Sequence, residues 1–188
     1  LGDSITEGGG DWNGYFGTKN IVNRGISGDT TLGVLARLNE ICFYKPISLF
    51  LLIGINDIFN SDSPNRKNVT PLSVSNNIIT IAGIIYKRSP NTQVYIQTTL
   101  PINNKLYKKL TGTFPLHEMP LLDQINQINT RLKKNESQNH YTVIDLHDIF
   151  LDSHGSLSKK YTSDGVHLNE EGYHKWSNFI KNYISSNF

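Results

Sequence analysis

Cysteine is nearly absent: Cys42 is the only one in 188 residues. A lone cysteine excludes an intramolecular disulfide and a thiolate-built metal cluster. Its apolar neighbours in LNEICFY (38–44) mark it as a core residue. Long apolar runs are also missing. The longest, LFLLI at 49–53, falls far short of the roughly 20 residues a bilayer-crossing helix needs, so no membrane insertion is expected. Neither sign of charge dominates. The 18 Lys/Arg and 16 Asp/Glu leave a net charge of +2, and the nearest approach to a basic run is Lys105, Lys108 and Lys109. That balance gives no basis for nucleic-acid binding. His117, His140, His147, His154 and His174 stand at no ligand spacing with carboxylates or thiolates, so neither a metal nor another cofactor is expected. No repeat, low-complexity tract or linker interrupts the chain, which reads as one domain over 1–188. Composition leaves the oligomeric state open.

What is present is an alternation of strand-like and helix-like segments. NIVNRG (20–25) reads as a short strand. In 31–44, Leu32, Leu35, Leu38 and Ile41 recur at helical spacing, and Pro46 stops the pattern. ISLFLLIG (47–54) is continuously apolar, as a strand buried on both faces should be. A helix with Pro71 at its start spans 71–88, a strand 93–100, a helix 121–134, a strand 141–146, and a last helix 170–184 with Asn169 as N-cap. The order predicts a parallel sheet with helices on both faces. The stretch LGDSITEGGG at the start looks like the end of one more strand, of which only Leu1 remains. A first β-strand upstream of Leu1 is therefore expected.

In open α/β sheets, ligands bind at the carboxyl ends of the strands. Those ends would carry Ser4, GISG (25–28), GIND (54–57) and LPINN (100–104), with SDGVHLN (163–169) in the last loop. Acyl transfer needs a hydroxyl nucleophile, a base, a carboxylate that orients the base, and donors for the oxyanion. Ser4 can be the nucleophile and His167 the base. Asp164, three residues before His167, can face the imidazole Nδ1. The Ser4 and Gly28 amides and the Asn56 side chain can receive the oxyanion. Taken singly, each is an ordinary turn or cap residue. Four motifs in a fixed order, each at or beyond a strand end, carry the argument.

This set resembles the SGNH, or GDSL-like, hydrolase superfamily: GDSIT, NRGISGDT, GIND and DGVHL stand for its four blocks. The resemblance implies a three-layer α/β/α flavodoxin-like fold, with five parallel strands in order 2-1-3-4-5. It implies Ser4, Asp164 and His167 as the triad, Ser4, Gly28 and Asn56 as the oxyanion hole, and no metal. NRGISGDTT most resembles the acetylhydrolase branch, which includes platelet-activating-factor acetylhydrolase-like proteins. The expected activity is a serine esterase acting on a small-molecule or glycan ester, with a carbohydrate O-acetylesterase first. A lysophospholipase, an acyl-thioesterase or a non-catalytic binding module on the same fold are the rivals. An enzyme on polymeric sugars is associated with an extracytoplasmic location. Asp3, Trp12, Asn103, Tyr107 and His117 are candidate substrate contacts. Trp12 also reads as a core residue of a short first helix. Asp57 is expected to be a structural hydrogen-bond partner, and Asp29 a cap for the helix after it.

Overall fold

The computed structural model describes residues 1–59, 69–115 and 117–185. Its strands are β1 (Ser48–Leu51), β2 (Gln93–Gln97) and β3 (Thr142–Ile144), in the order β1-β2-β3. Its helices are α1 (Ser4–Glu7), α2 (Trp12–Phe16), α3 (Thr31–Ala36), α4 (Leu38–Tyr44), α5 (Ile55–Phe59), α6 (Pro71–Arg88), α7 (Asn104–Thr111), α8 (Leu121–Asn135), α9 (Leu146–Phe150) and α10 (Glu170–Ser185). All ladders are parallel: Leu51 lies opposite Ile96, and Ile96 opposite Val143.

Parallel strands need crossovers, and α6 and α8 supply them. Pro71 opens α6 behind a Thr70–Ser73 capping box, and Lys87 and Arg88 lie in its last turn. Its apolar stripe (Ile78, Ile81, Ala82, Ile85) is essentially solvent-free, as are Ile125, Ile128 and Leu132 on the α8 that packs against it. Each such large side chain contributes about 1.5–3 kcal/mol on burial. The opposite face is covered by α10. Its Trp176 donates to Gln97 Oε1 at 2.6 Å, and its Tyr183 meets Tyr95 at 5.6 Å. Tyr95 and Gln97 alternate with Val94 and Ile96 along β2, so the strand is buried on both sides. Trp12 of α2 packs edge-on against Trp176 at 4.8 Å. No helix among the described residues is long and apolar enough to cross a membrane.

Two expectations change. Four of the five expected strands would lie within this chain, and among the described residues three form. Residues 20–24 build no strand; Gly2 bridges in parallel to Gly25 on one side and to Leu52 on the other. An apolar cavity of about 460 Å³ is lined by Leu1, Ile21, Val22, Leu49, Phe50 and Trp176 among others. The single helix expected over 31–44 is broken at Arg37 into α3 and α4. There the backbone leaves helical geometry (φ −110°, ψ 11°), and the side chain is bound to three other segments.

Candidate active site

Leu1 and Gly2 lie within the sheet, and the chain turns sharply at Asp3. The Asp3 carboxylate caps α1 by accepting from Ile5 N at 2.9 Å. Ser4 is thereby the first residue of that short helix, partly exposed at its end. Its Oγ lies 3.0 Å from His167 Nε2, across 163 residues of sequence. His167 Nδ1 lies 2.7 Å from Asp164 Oδ2. The other Asp164 oxygen, Oδ1, accepts from the backbone of Val166 and of His167, both at 2.8 Å. One carboxylate thus shapes the turn that carries His167 and also orients its ring.

The loop is held from behind. Thr162 Oγ1 accepts from Gly165 N at 2.9 Å and donates to His167 O at 2.6 Å. Gly165 adopts φ +90°, and a Cβ there would sit 2.5 Å from Asn103 O. Only glycine lets this loop lie so close to the start of α7. Asn103 N donates to Gly165 O at 2.7 Å, which ties the two.

Gly28 (φ +76°) occupies the third position of a turn closed by Asp29 N donating to Ile26 O at 3.0 Å. A positive φ at that position is what a type II turn demands of glycine. Asn56, on α5, donates Nδ2 to Asp29 O at 3.0 Å, so the amide expected to meet an oxyanion is oriented by the residue next to Gly28. Asp57 is buried and accepts from Thr31 N and Thr31 Oγ1, securing α3. Thr30, not Asp29, caps α3; the Asp29 carboxylate is paired with Arg37 at 2.6 Å.

The remaining sequence candidates divide. Asp3 is buried and serves as the α1 cap. Trp12 is buried, donates Nε1–H to Thr6 O at 3.1 Å, and belongs to the core. Asn103 is buried with both ends of its amide engaged: Nδ2 donates to Leu157 O and Oδ1 accepts from Leu106 N. All three side chains are buried. Tyr107 is half-buried in an aromatic cluster with Phe59 and Phe114, beside the Gly165 loop. His117 is half-buried in the connection after α7. Sequence reading missed Thr162 as the loop's clamp, Asn103 as its anchor and Arg37 altogether. Asn103 carried a usable signal, an Asn directly before a helix; the other two carried none.

Electrostatics separate the two carboxylates. Burial disfavours the Asp164 anion, but the His167 side chain and the Val166 and His167 amides outweigh it and hold its pKa below the usual value. Asp3 goes the other way. Burial, only partly offset by the Ile5 amide and by His167, pushes it up to about 7, and its Oδ2 meets no partner among the described residues. The linked stability follows in sign. From about pH 4 to about pH 7 the folded state keeps a proton that the unfolded chain has lost. Asp3 therefore destabilises the fold progressively as pH rises through that window, by roughly 4 kcal/mol at its upper end. Asp3→Asn keeps an acceptor for the cap and has no charge. Its melting temperature relative to wild type should rise by several degrees between pH 4 and pH 8, as calorimetry would read. The cost of burying the amide is the same at both pH values and drops out. An offset that does not change with pH would refute the assignment.

With this geometry in hand, comparisons place the chain among known proteins. Residues 1–175 match the GDSL-like Lipase/Acylhydrolase family. A Streptococcus pneumoniae structure, provisionally assigned as a platelet activating factor, is 30% identical with a TM-score of 0.78, over 97% of this chain and 81% of that one. A Bacteroides fragilis structure, provisionally assigned as an acylhydrolase, is 26% identical with a TM-score of 0.80, over 98% and 84%. Platelet-activating factor acetylhydrolase IB subunit alpha2 of Rattus norvegicus is 28% identical over 167 residues, 87% of this chain. The chain spans less than two thirds of the length of the curated relatives it matches, 64% for the rat protein and 28% for another.

Proposed function

The chain belongs to the GDSL-like lipase/acylhydrolase family, and from that premise we propose that it is a serine esterase that removes a short acyl group, acetyl first, from a carbohydrate hydroxyl. The observation that carries the reading is the continuous hydrogen-bonded line Ser4–His167–Asp164, at 3.0 and 2.7 Å.

His167 Nε2 takes the Ser4 proton as Oγ bonds to the ester carbonyl carbon. The Ser4 and Gly28 amides and Asn56 Nδ2 receive the carbonyl oxygen as it becomes an oxyanion. When the tetrahedral intermediate collapses, the carbon–oxygen bond to the leaving alcohol breaks, and His167 returns the proton to that oxygen. Water then attacks the acyl-enzyme with His167 as base, and the carboxylic acid leaves Ser4 restored. Asp164 holds the imidazole in the tautomer that presents Nε2 as acceptor and stabilises the imidazolium.

Two features favour a short acyl group on a bulky polar alcohol. The site is open: the side chains of His167 and Asp164 are 48% and 41% exposed, which suits a large leaving group outside the protein. The rat relative's name, an acetylhydrolase, points to the same acyl group. Hydrolysis of p-nitrophenyl acetate, butyrate and octanoate tests this directly. The expected order is acetate fastest, with at least about a tenfold fall in kcat/KM to octanoate, followed by acetate release from acetylated xylo-oligosaccharides. A preference for octanoate would move the assignment to a lysophospholipase or thioesterase.

A further inference from the structure

The residues assigned above sit on separate loops, and nothing in the triad itself keeps those loops at a fixed spacing. One arginine reaches both the nucleophile turn and the oxyanion loop, beside the Ile26 N to Gly2 O bond at 3.1 Å and the Ser27 N to Glu7 Oε2 bond at 3.0 Å. Arg37, at the break between α3 and α4, donates Nη2 to Gly2 O at 3.1 Å, two residues before Ser4. It donates Nη1 to Arg24 O at 3.1 Å, next to Gly25. It also holds Asp29 Oδ2 with Nε at 2.8 Å and Nη2 at 2.6 Å, one residue after Gly28. Asp29 passes the constraint on, since its carbonyl accepts Asn56 Nδ2. The pair is largely enclosed, with side chains 19% and 9% exposed. A planar guanidinium has five donors in a rigid fork and can hold three segments at once; an ammonium cannot reproduce that geometry.

We propose that Arg37 is a positioning residue for catalysis: it sets the distance between the nucleophile turn and the oxyanion loop and, through Asp29, the direction of the Asn56 amide. It touches no reacting atom. Its effect belongs to the transition state, because oxyanion donors act at the position the oxygen takes once the carbon is tetrahedral. The proposal rests on the esterase reading above.

The test compares wild type, Arg37→Ala, Arg37→Lys and the double variant Arg37→Gln/Asp29→Asn on p-nitrophenyl acetate. Arg37→Ala should lower kcat by about 10- to 100-fold, the scale of a misplacement near 1 Å, with KM changed by less than about threefold. Guanidinium chloride at roughly 20 mM, well below denaturing concentrations, should restore several-fold of the lost rate in Arg37→Ala and leave wild type unchanged. Arg37→Lys should recover little. The double variant removes both charges, so the penalty of an unpaired buried carboxylate disappears; its melting temperature should recover relative to Arg37→Ala while kcat stays low. A kcat within twofold of wild type in Arg37→Ala overturns the proposal. So does a rate that follows melting temperature across the variants without guanidinium rescue. If wild type itself hydrolyses no ester, the esterase reading fails, and Arg37 is judged by amide hydrogen exchange at Ile26 and Asp29. Faster exchange in Arg37→Ala, reversed by guanidinium, supports the tie, and unchanged exchange removes it.

Discussion

Ser4→Ala loses ester hydrolysis by on the order of 10⁴-fold or more in kcat, equivalent to about 5.5 kcal/mol of transition-state stabilisation. The Ser4 hydroxyl has one described hydrogen bond, to His167, and the residue is partly exposed. Removing it breaks no packing, so the melting temperature should stay within about 2 °C of wild type. The Ser4 amide remains in place, so any residual rate reflects oxyanion donors acting on direct water attack. Rapid quenching followed by mass spectrometry supplies a second reading. Wild type incubated with p-nitrophenyl acetate should carry one acetyl group on the peptide that contains Ser4, and the variant none. Retention of more than a tenth of the wild-type rate would remove Ser4 as nucleophile.

Asp164→Asn is expected to cost about 10⁴-fold in kcat with little loss of stability. The argument follows from which atom does what. Oδ1 accepts two backbone amides, from Val166 and His167. An asparagine can keep both bonds only by placing its oxygen there. Its NH₂ then faces His167 Nδ1, where Oδ2 stood. A donor at that point demands an acceptor, so the imidazole shifts its proton to Nε2. The ring then offers N–H to Ser4 where catalysis needs a lone pair. The loop stays folded, since Thr162 and Asn103 hold it independently. Steady-state kinetics should therefore show kcat collapse with KM within about threefold, alongside a nearly unchanged melting curve. A fall in kcat of less than tenfold would mean that Asp164 shapes the turn without setting the tautomer.

Much of this protein is legible along the chain because the signals are local. A continuous apolar run marks β1, and a proline at the right place marks the start of α6. Asn169 is recognisable as a cap and accepts from Gly172 N at 3.0 Å, as capping requires. The spacing of Asp164 and His167 on one turn is itself a geometric statement, since three residues bring the carboxylate under the imidazole. Cys42 is a core residue for reasons of polarity alone, and it is buried.

Other features depend on contacts that no local pattern encodes. Strand formation over 20–24 depends on a neighbouring ladder, and among the described residues only the Gly2–Gly25 bridge forms there. The helix expected across 31–44 has the right periodicity, yet it breaks where the Arg37 guanidinium is bound to Gly2, Arg24 and Asp29. Asn103 shares its type with a substrate-binding amide and is instead consumed inside the fold. The sequence by itself determined the alternation of strands and helices, the four motifs and the chemistry they can perform, because propensity, periodicity and residue type act over a few positions. The tertiary structure alone decided that Ser4 and His167 meet across 163 residues, that Asp3 is a buried cap, and that one arginine joins the loops around the site. Those outcomes depend on burial and on hydrogen-bond partners brought together by folding, and distance along the chain carries no record of either.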